Sequence, residues 1–349
     1  MKKMFSTIMA AAMLVGVSTS AFAASEVKIA WSRYIGWEPL GLMKDMGIMD
    51  KWNKKLGTNV QLVYVSNYVD SITLYSSKQY NGVAVTNMDV LAIAGAGGRR
   101  STTAIVGDYS NGNDGVALLG YNSVADLAGV PVNLVEYSVS HYALARCAQR
   151  AGVSMDTFLK TFKTVNTSDS DIPSIVKHAS EAGDKVAVVS WNPMLMDVRN
   201  TKGVKVVCTS ADIPGEIIDM VVVGDEVDAK SKQALVGAWY ETLALIKSGD
   251  AATLKALASQ SGSSVSDVVA QLKTTKLFYT PAEAVAFTTD AKLKTTMRSV
   301  VDFSFKAGVY ESVKTPDELG VQFSDGSVQG DKANVMLVFD PSAMQGASK

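Results

Sequence analysis

An α/β chain of two lobes, with mainly parallel sheets flanked by helices, is the fold class the sequence predicts, on three observations. Short β-branched apolar runs alternate with longer amphipathic ones. The stretch from Asp228 to Ala307 keeps a helical period almost throughout, which predicts a helical C-terminal region packed on the first lobe. Two polar, turn-rich segments, Asp108 to Gly115 and Asp212 to Gly215, enclose a middle region of the same alternating kind, so the chain is expected to pass out of one lobe and back.

The first segment is a leader. Met1-Lys2-Lys3-Met4 is a basic start, Ile8 to Val17 is apolar but too short to span a bilayer, and Ala21-Phe22-Ala23 is a small-x-small cleavage pattern. Residues 1–23 are therefore expected to be a signal peptide. Ala24 follows instead of a cysteine, so the mature chain is expected to be periplasmic or secreted, without a lipid anchor.

Beyond the leader, strand-length runs stand at Val27–Trp31, Val60–Val65, Gly82–Val85 and Thr103–Val106. Five more follow at Val116–Leu119, Val130–Val135, Val186–Ser190, Val204–Cys208 and Met220–Val223. They are mostly continuous, as strands covered on both faces should be. Between them, Glu38–Met46, Tyr68–Lys78, Met88–Ala94, Ser140–Ala151, Ile172–Ser180 and Pro193–Arg199 have helical spacing. The expected division is residues 24–110 with 217–349 as the first lobe and 111–216 as the second.

Charge and composition narrow the function. The chain carries 33 basic and 34 acidic side chains, and losing Lys2 and Lys3 leaves 31 against 34. Such a balance gives no electrostatic footprint for nucleic acid or an anionic membrane. The histidines are His141 and His178 alone, too few for a histidine-based zinc site or triad, and no His-Glu-x-x-His, Cys-x-x-Cys or Gly-x-Ser-x-Gly appears. Gly95-Ala96-Gly97-Gly98 lacks the endings of both nucleotide-binding loops and reads as a helix end and turn. No cofactor, metal or catalytic residue is expected. Cys147 and Cys208 are the two cysteines, and whether they pair is left open.

Over its mature length the chain resembles the solute-binding proteins of nitrate/sulfonate/taurine-type ABC importers. The resemblance lies in Lys28-Ile29-Ala30-Trp31 with Trp37-Glu38-Pro39-Leu40, Thr86-Asn87-Met88-Asp89, Ser138-Val139-Ser140-His141-Tyr142 and Val189-Ser190-Trp191-Asn192-Pro193. Asn133-Leu134-Val135-Glu136, Asn166-Thr167-Ser168-Asp169 and Ile213-Pro214-Gly215-Glu216-Ile217-Ile218-Asp219 are similar to the subgroup typically found beside urea carboxylase, an enzyme type many members of which act on guanidine. The chain departs at Asn192, where many sulfonate binders carry an acidic residue. The resemblance implies a periplasmic binding protein of type II, a clamp that closes on a small solute and docks, as a monomer, on a permease in the inner membrane.

In parallel sheets ligands lie beyond the carboxyl ends of strands. The candidate ligand residues there are Tyr34, Trp37, Glu38, Asn87, Asp89, Asp108, Glu136, Ser140, His141, Trp191, Asn192 and Asp219. Aromatic faces and carboxylates suit a planar cation; an anion site calls for Arg, Lys or an open helix N-terminus. Guanidinium meets both demands, with urea second, and a sulfonate or nitrate or a secreted enzyme on the same scaffold as alternatives. Each candidate also has a structural reading: Glu38 and Asp89 as helix-start charges, Asp108 as a turn residue, Glu136 and Asp219 as interlobe ion pairs, Trp37 and Trp191 as core.

Overall fold

The computed structural model describes residues 25–310 and 313–347, so the leader lies outside the described residues. The chain opens β1 (Glu26–Trp31), α1 (Glu38–Asp45), α2 (Ile48–Leu56), β2 (Asn59–Tyr64), α3 (Tyr68–Ser76), β3 (Gly82–Thr86) and β4 (Ser101–Ser110). It then crosses to β5 (Asp114–Leu119), β6 (Pro131–Leu134), α4 (Val139–Arg150), α5 (Met155–Thr161), β7 (Lys163–Asn166), α6 (Ile172–Ala182), β8 (Val186–Trp191), α7 (Met194–Asn200) and β9 (Val204–Thr209). After returning it forms β10 (Ile218–Val223), α8 (Ala229–Ser248), α9 (Ala251–Ser261), α10 (Val265–Lys273), β11 (Thr275–Leu277), α11 (Pro281–Thr288) and α12 (Lys292–Lys306). It ends in β12 (Gly320–Gln322), β13 (Val328–Gln329), β14 (Val335–Val338) and α13 (Ser342–Ala347).

Two sheets result. One has the order β13-β12-β14-β4-β10-β3-β1-β2 with β11 on β4; the other is β7-β6-β8-β5-β9. They are more mixed than a run of buried strands suggested. β1 pairs in parallel with β2 and β3, and β6 with β7 and β8, but β10 runs antiparallel between β3 and β4, and β5 antiparallel between β8 and β9. The two strands that follow a crossing enter their sheet from the opposite end, and burial on both faces carries no record of direction.

Continuous burial and central position coincide: every residue of β3 and β10 is buried, whereas β2 at the edge alternates. The polar segment expected as a linker is shorter than predicted. β4 continues through Ser110, because Asp108 and Tyr109 pair with Asp219 and Ile218 on one side and with Leu277 and Lys276 on the other. Only three residues remain before β5, and Gly112 among them has φ 118°, where a side chain would be strained. The Met88–Ala94 period closes as a π-helical turn, Val90–Gly95.

The two crossings are bonded to each other. The Ser110 and Ser210 hydroxyls lie 2.7 Å apart, and the Gly112 N–H donates to Ser210 Oγ at 2.7 Å. The Asn111 N–H donates to the Thr274 carbonyl at 2.9 Å. Cys147 on α4 and Cys208 on β9 form a disulfide, Cα to Cα 6.0 Å, which the sequence had left open. No helix among the described residues is long and apolar enough to cross a membrane.

The disulfide closes a loop with a sequence separation of 61. Replacing Cys147 and Cys208 together by Ala should therefore cost about 4 kcal/mol on the chain-entropy model. Urea unfolding checks this; a midpoint equal to the wild type's would show that the second sheet is held without the bridge.

Candidate functional site

A narrow cleft lies where the two sheets face each other. Its walls are Tyr34 and Trp37 from the β1–α1 turn, Tyr68 at the start of α3, Thr86 at the end of β3, and Ile217 and Asp219 at β10. The second sheet contributes Asp114, Val139 and Trp191. No Arg or Lys is among these lining residues.

Local sequence explains the aromatic wall. Pro39 fixes the first turn of α1 and leaves Trp37 as its N-cap, while the Trp37 and Glu38 N–H groups fold back on the Tyr34 carbonyl at 2.8 and 3.0 Å. Asn67 caps α3 by accepting from the Asp70 N–H at 3.0 Å, which sets Tyr68 at the mouth of the helix. The rings then form a chain: Tyr34 to Trp37 at 5.1 Å, Trp37 to Tyr68 at 5.3 Å and Tyr68 to Trp191 at 5.9 Å, the last contact passing from one sheet to the other.

The floor is acidic. Asp108 on β4 and Asp219 on β10 are direct cross-strand neighbours, exposed by 0% and 3%. The Tyr34 hydroxyl donates to Asp108 Oδ1 at 3.0 Å, while Asp108 Oδ2 and Asp219 Oδ2 are buried and accept no hydrogen bond. A Cβ on Gly36 would collide with Asp108 Oδ2 and the Tyr34 ring, so glycine alone lets this turn lie against the carboxylate.

Burial pushes the Asp108 and Asp114 carboxyls up to about 7. Asp219 is raised well above the usual range, first by burial and then by the facing Asp108 and Asp114. Two buried carboxylates opposite each other cannot both ionise without strong repulsion, so the pair retains a proton near neutrality. Burial and these carboxylates also push the Tyr34 phenol up.

Six of the predicted residues therefore lie at or against this cleft: Tyr34, Trp37, Asp89, Asp108, Trp191 and Asp219. Asp89 is wholly buried behind Tyr68 and Thr86, whose hydroxyls donate to its Oδ2 at 2.6 and 2.9 Å. The other six have different surroundings. Glu38 turns to Arg33 at 3.3 Å and to Gln260 at the end of α9. The Asn87 amide brackets the second crossing, donating to the Glu216 carbonyl and accepting from the Ile218 N–H, both at 3.1 Å. The Asn192 amide donates to Asn113 Oδ1 at 2.7 Å, beside the cis Asn192–Pro193 bond.

Glu136 accepts from Thr164 and borders a separate crevice with Tyr137 and Ser138. Ser140 is buried in the first turn of α4. His141 packs among Phe158, Phe303 and Tyr137, where burial pushes its imidazole down to about 4. Tyr68, Thr86, Asp114, Val139 and Ile217 line the cleft without having been singled out. Thr86 and Tyr68 follow or end strand runs, so a stricter use of the strand-end rule reaches them; Asp114 sits in the crossing, whose geometry no local pattern gives.

No protein-family model matches the chain, and no curated protein matches it. Solved structures do. The alkanesulfonate-binding protein SsuA from Xanthomonas axonopodis pv. citri, bound to MOPS, is similar with a TM-score of 0.65 at 14% identity, covering 83% of this chain and 95% of that one. The periplasmic aliphatic sulphonate binding protein SsuA from Escherichia coli gives 0.64 at 16% identity, over 80% and 92%. This chain has the fold of those binding proteins. The periplasmic nitrate-binding protein NrtA from Synechocystis PCC 6803 is similar over more of this chain, 93% of it and 97% of its own, at 14% identity and a TM-score of 0.55. At these identities the likeness carries the α/β two-lobed architecture and leaves the contents of the cleft to this chain's own residues.

The raised carboxyls give the empty protein a definite pH response. Groups whose pKa is higher folded than unfolded stabilise fully below about 4, and that stability is lost as pH rises through about 7. His141, lowered to about 4, acts in the opposite sense up to its ordinary value. Thermal unfolding from pH 5 to 8 should show a falling midpoint, and Asp108→Asn should flatten the fall. A slope unchanged in Asp108→Asn would mean that this carboxyl is not a buried titrating group.

Proposed function

We propose that this protein is the periplasmic solute-binding component of an ABC importer and that its cleft takes a small planar cation, guanidinium. The single observation that supports the solute is the lining: aromatic rings on one side, the buried carboxyl groups of Asp114 and Asp219 on the other with Asp108 directly opposite Asp219 on the neighbouring strand, and no basic side chain among the lining residues. A guanidinium ion presents paired N–H donors to a carboxylate and a flat face to an aromatic ring. Asp219 and Asp108 offer the free oxygens, and Trp37, Tyr34 and Trp191 the faces. Neutral urea gains nothing from replacing a shared proton between two carboxyls, and an anion would meet their charge.

On this reading residues 24–110 with 217–349 and residues 111–216 are the two lobes, and the paired crossings are the hinge. Solute touching both Asp219 and Trp191 binds the closed arrangement better than the open one, and a permease in the inner membrane then receives the closed form. The leader would direct the chain to the periplasm, and no covalent step is needed. The sulfonate and nitrate named for the structural neighbours are the rival solutes, and a cleft with a proton-bearing carboxyl pair distinguishes them by pH.

A cation must displace the proton that Asp108 and Asp219 hold, so its binding releases a proton and strengthens as pH rises through about 7. An anion responds in the reverse direction. Titration calorimetry of the purified protein with guanidinium, urea, nitrate and taurine at pH 6 and 8 separates these. The expected result is saturable one-to-one heat with guanidinium, tighter at pH 8, and weakened about 100-fold or more in Asp219→Asn, since a buried charge then lacks its partner. Binding of taurine or nitrate that tightens toward pH 6 would overturn the cation reading.

A further inference from the structure

We propose that Asp89 is a tethered anion: it fills a donor set that would otherwise hold an anionic solute, and so keeps anions out of the cleft.

Two hydroxyls of the cleft wall converge on its Oδ2, and a backbone N–H lies beside the carboxylate. The Tyr68 hydroxyl donates at 2.6 Å and the Thr86 hydroxyl at 2.9 Å. The Val139 N–H approaches from the start of α4, on the opposite sheet. Tyr68, Thr86 and Val139 all line the cleft, so the donors belong to the site, but the charge they serve is the protein's own.

The donors are also oriented in advance. The Thr86 N–H donates to the Tyr68 oxygen at 3.1 Å, leaving the phenolic proton for Asp89, and the Asp89 N–H donates to Thr86 Oγ1 at 3.3 Å, leaving that hydroxyl's proton for the carboxylate. α4 is twelve residues long, and its N-cap Ser138 spends its side chain on the Ser140 N–H, so the Val139 N–H and the positive end of the helix remain for a negative group. Two hydroxyls and a helix N-terminus are the chemistry of a site for a carboxylate, nitrate or sulfonate. Asp89 is 0% exposed there, with a pKa of about 6 in which these hydrogen bonds oppose the rise caused by burial, so it is ionised above neutrality.

The contrast with Asp108 and Asp219 is the reason for assigning different roles to residues of one type. Asp89 takes two hydroxyls on Oδ2 and has its buried Oδ1 left over, while Asp108 takes only the Tyr34 hydroxyl on Oδ1 and its Oδ2, like Asp219 Oδ2, accepts none. With Asp89 in place the Tyr68 and Thr86 hydroxyls are taken and no Arg or Lys lines the cleft, so an incoming anion meets the unpartnered Trp37 indole N–H without positive charge beside it. The claim that the cleft instead takes a cation rests on the function proposed above; the claim that Asp89 occupies an anion's donors does not.

The test is Asp89→Ala, which removes the carboxylate and leaves the three donors, compared with the wild type and with Asp89→Asn, which keeps the space filled. Thermal unfolding and calorimetry with sodium formate, nitrate and methanesulfonate at pH 8 should show a saturable rise in midpoint for Asp89→Ala, with affinity at least about tenfold above the wild type's. Neither the wild type nor Asp89→Asn should respond, and adding Tyr68→Phe to Asp89→Ala should abolish the gain. If Asp89→Ala does not fold alone, refolding in formate but not in chloride is the same result. Failure of every anion to stabilise or rescue Asp89→Ala overturns the inference, as does equal anion binding by the wild type. The guanidinium titration of the wild type stands apart: its failure with anion rescue intact removes the cation reading and leaves Asp89 as assigned.

Discussion

Asp108 and Asp219 face each other across two antiparallel strands in a space that excludes water, and much of the cleft is arranged around that pair. Like charges directly opposite on a sheet repel, and a dry site magnifies the repulsion, so the pair persists only by holding a proton or receiving a cation. The β1–α1 turn answers this constraint from one side, with Tyr34 donating to Asp108 and Gly36 letting the backbone lie against it. The crossing strand answers from another, since Ser110 commits its hydroxyl to Asp114 and meets Ser210 from the returning crossing. The acidic floor is thus built into the residues that join the two sheets.

The paired crossings and the site share their parts. Asn113 and Asn192 bond at the mouth of the second sheet, Asn87 ties β3 to the start of β10, and the Arg146 guanidinium grips Glu216 with two hydrogen bonds of 2.7 and 2.8 Å. The disulfide fastens the far end of α4 to β9, leaving the helix start as the end that meets the first sheet. A change in how the sheets approach must therefore alter the surroundings of Trp191 and Val139, which is the coupling that a solute-dependent closure needs.

How much of this was legible in the chain can be seen residue by residue. β3 and β10 announce themselves as unbroken apolar runs because both faces are covered, and Trp37 and Asp219 were identified because strand ends are where an α/β sheet leaves room. Asn87, Asn192 and Glu38 satisfy the same rule and yet face a crossing or a neighbouring helix, since a strand end has several sides and sequence position does not select one. Asp114 escaped notice because its place depends on two crossings, a hundred residues apart, being bonded together.

Composition and period by themselves determined the alternation of strand and helix, the helical block after Asp228 and the absence of nucleotide-loop and zinc-site motifs, because these depend on local spacing and on which residues are present. Only the tertiary structure decided the direction of β5 and β10, the pairing of Cys147 with Cys208, and which donors each buried carboxylate meets. Those are matters of what lies opposite a residue across a sheet or a cleft, and a buried aspartate reads the same in sequence whichever partner it meets.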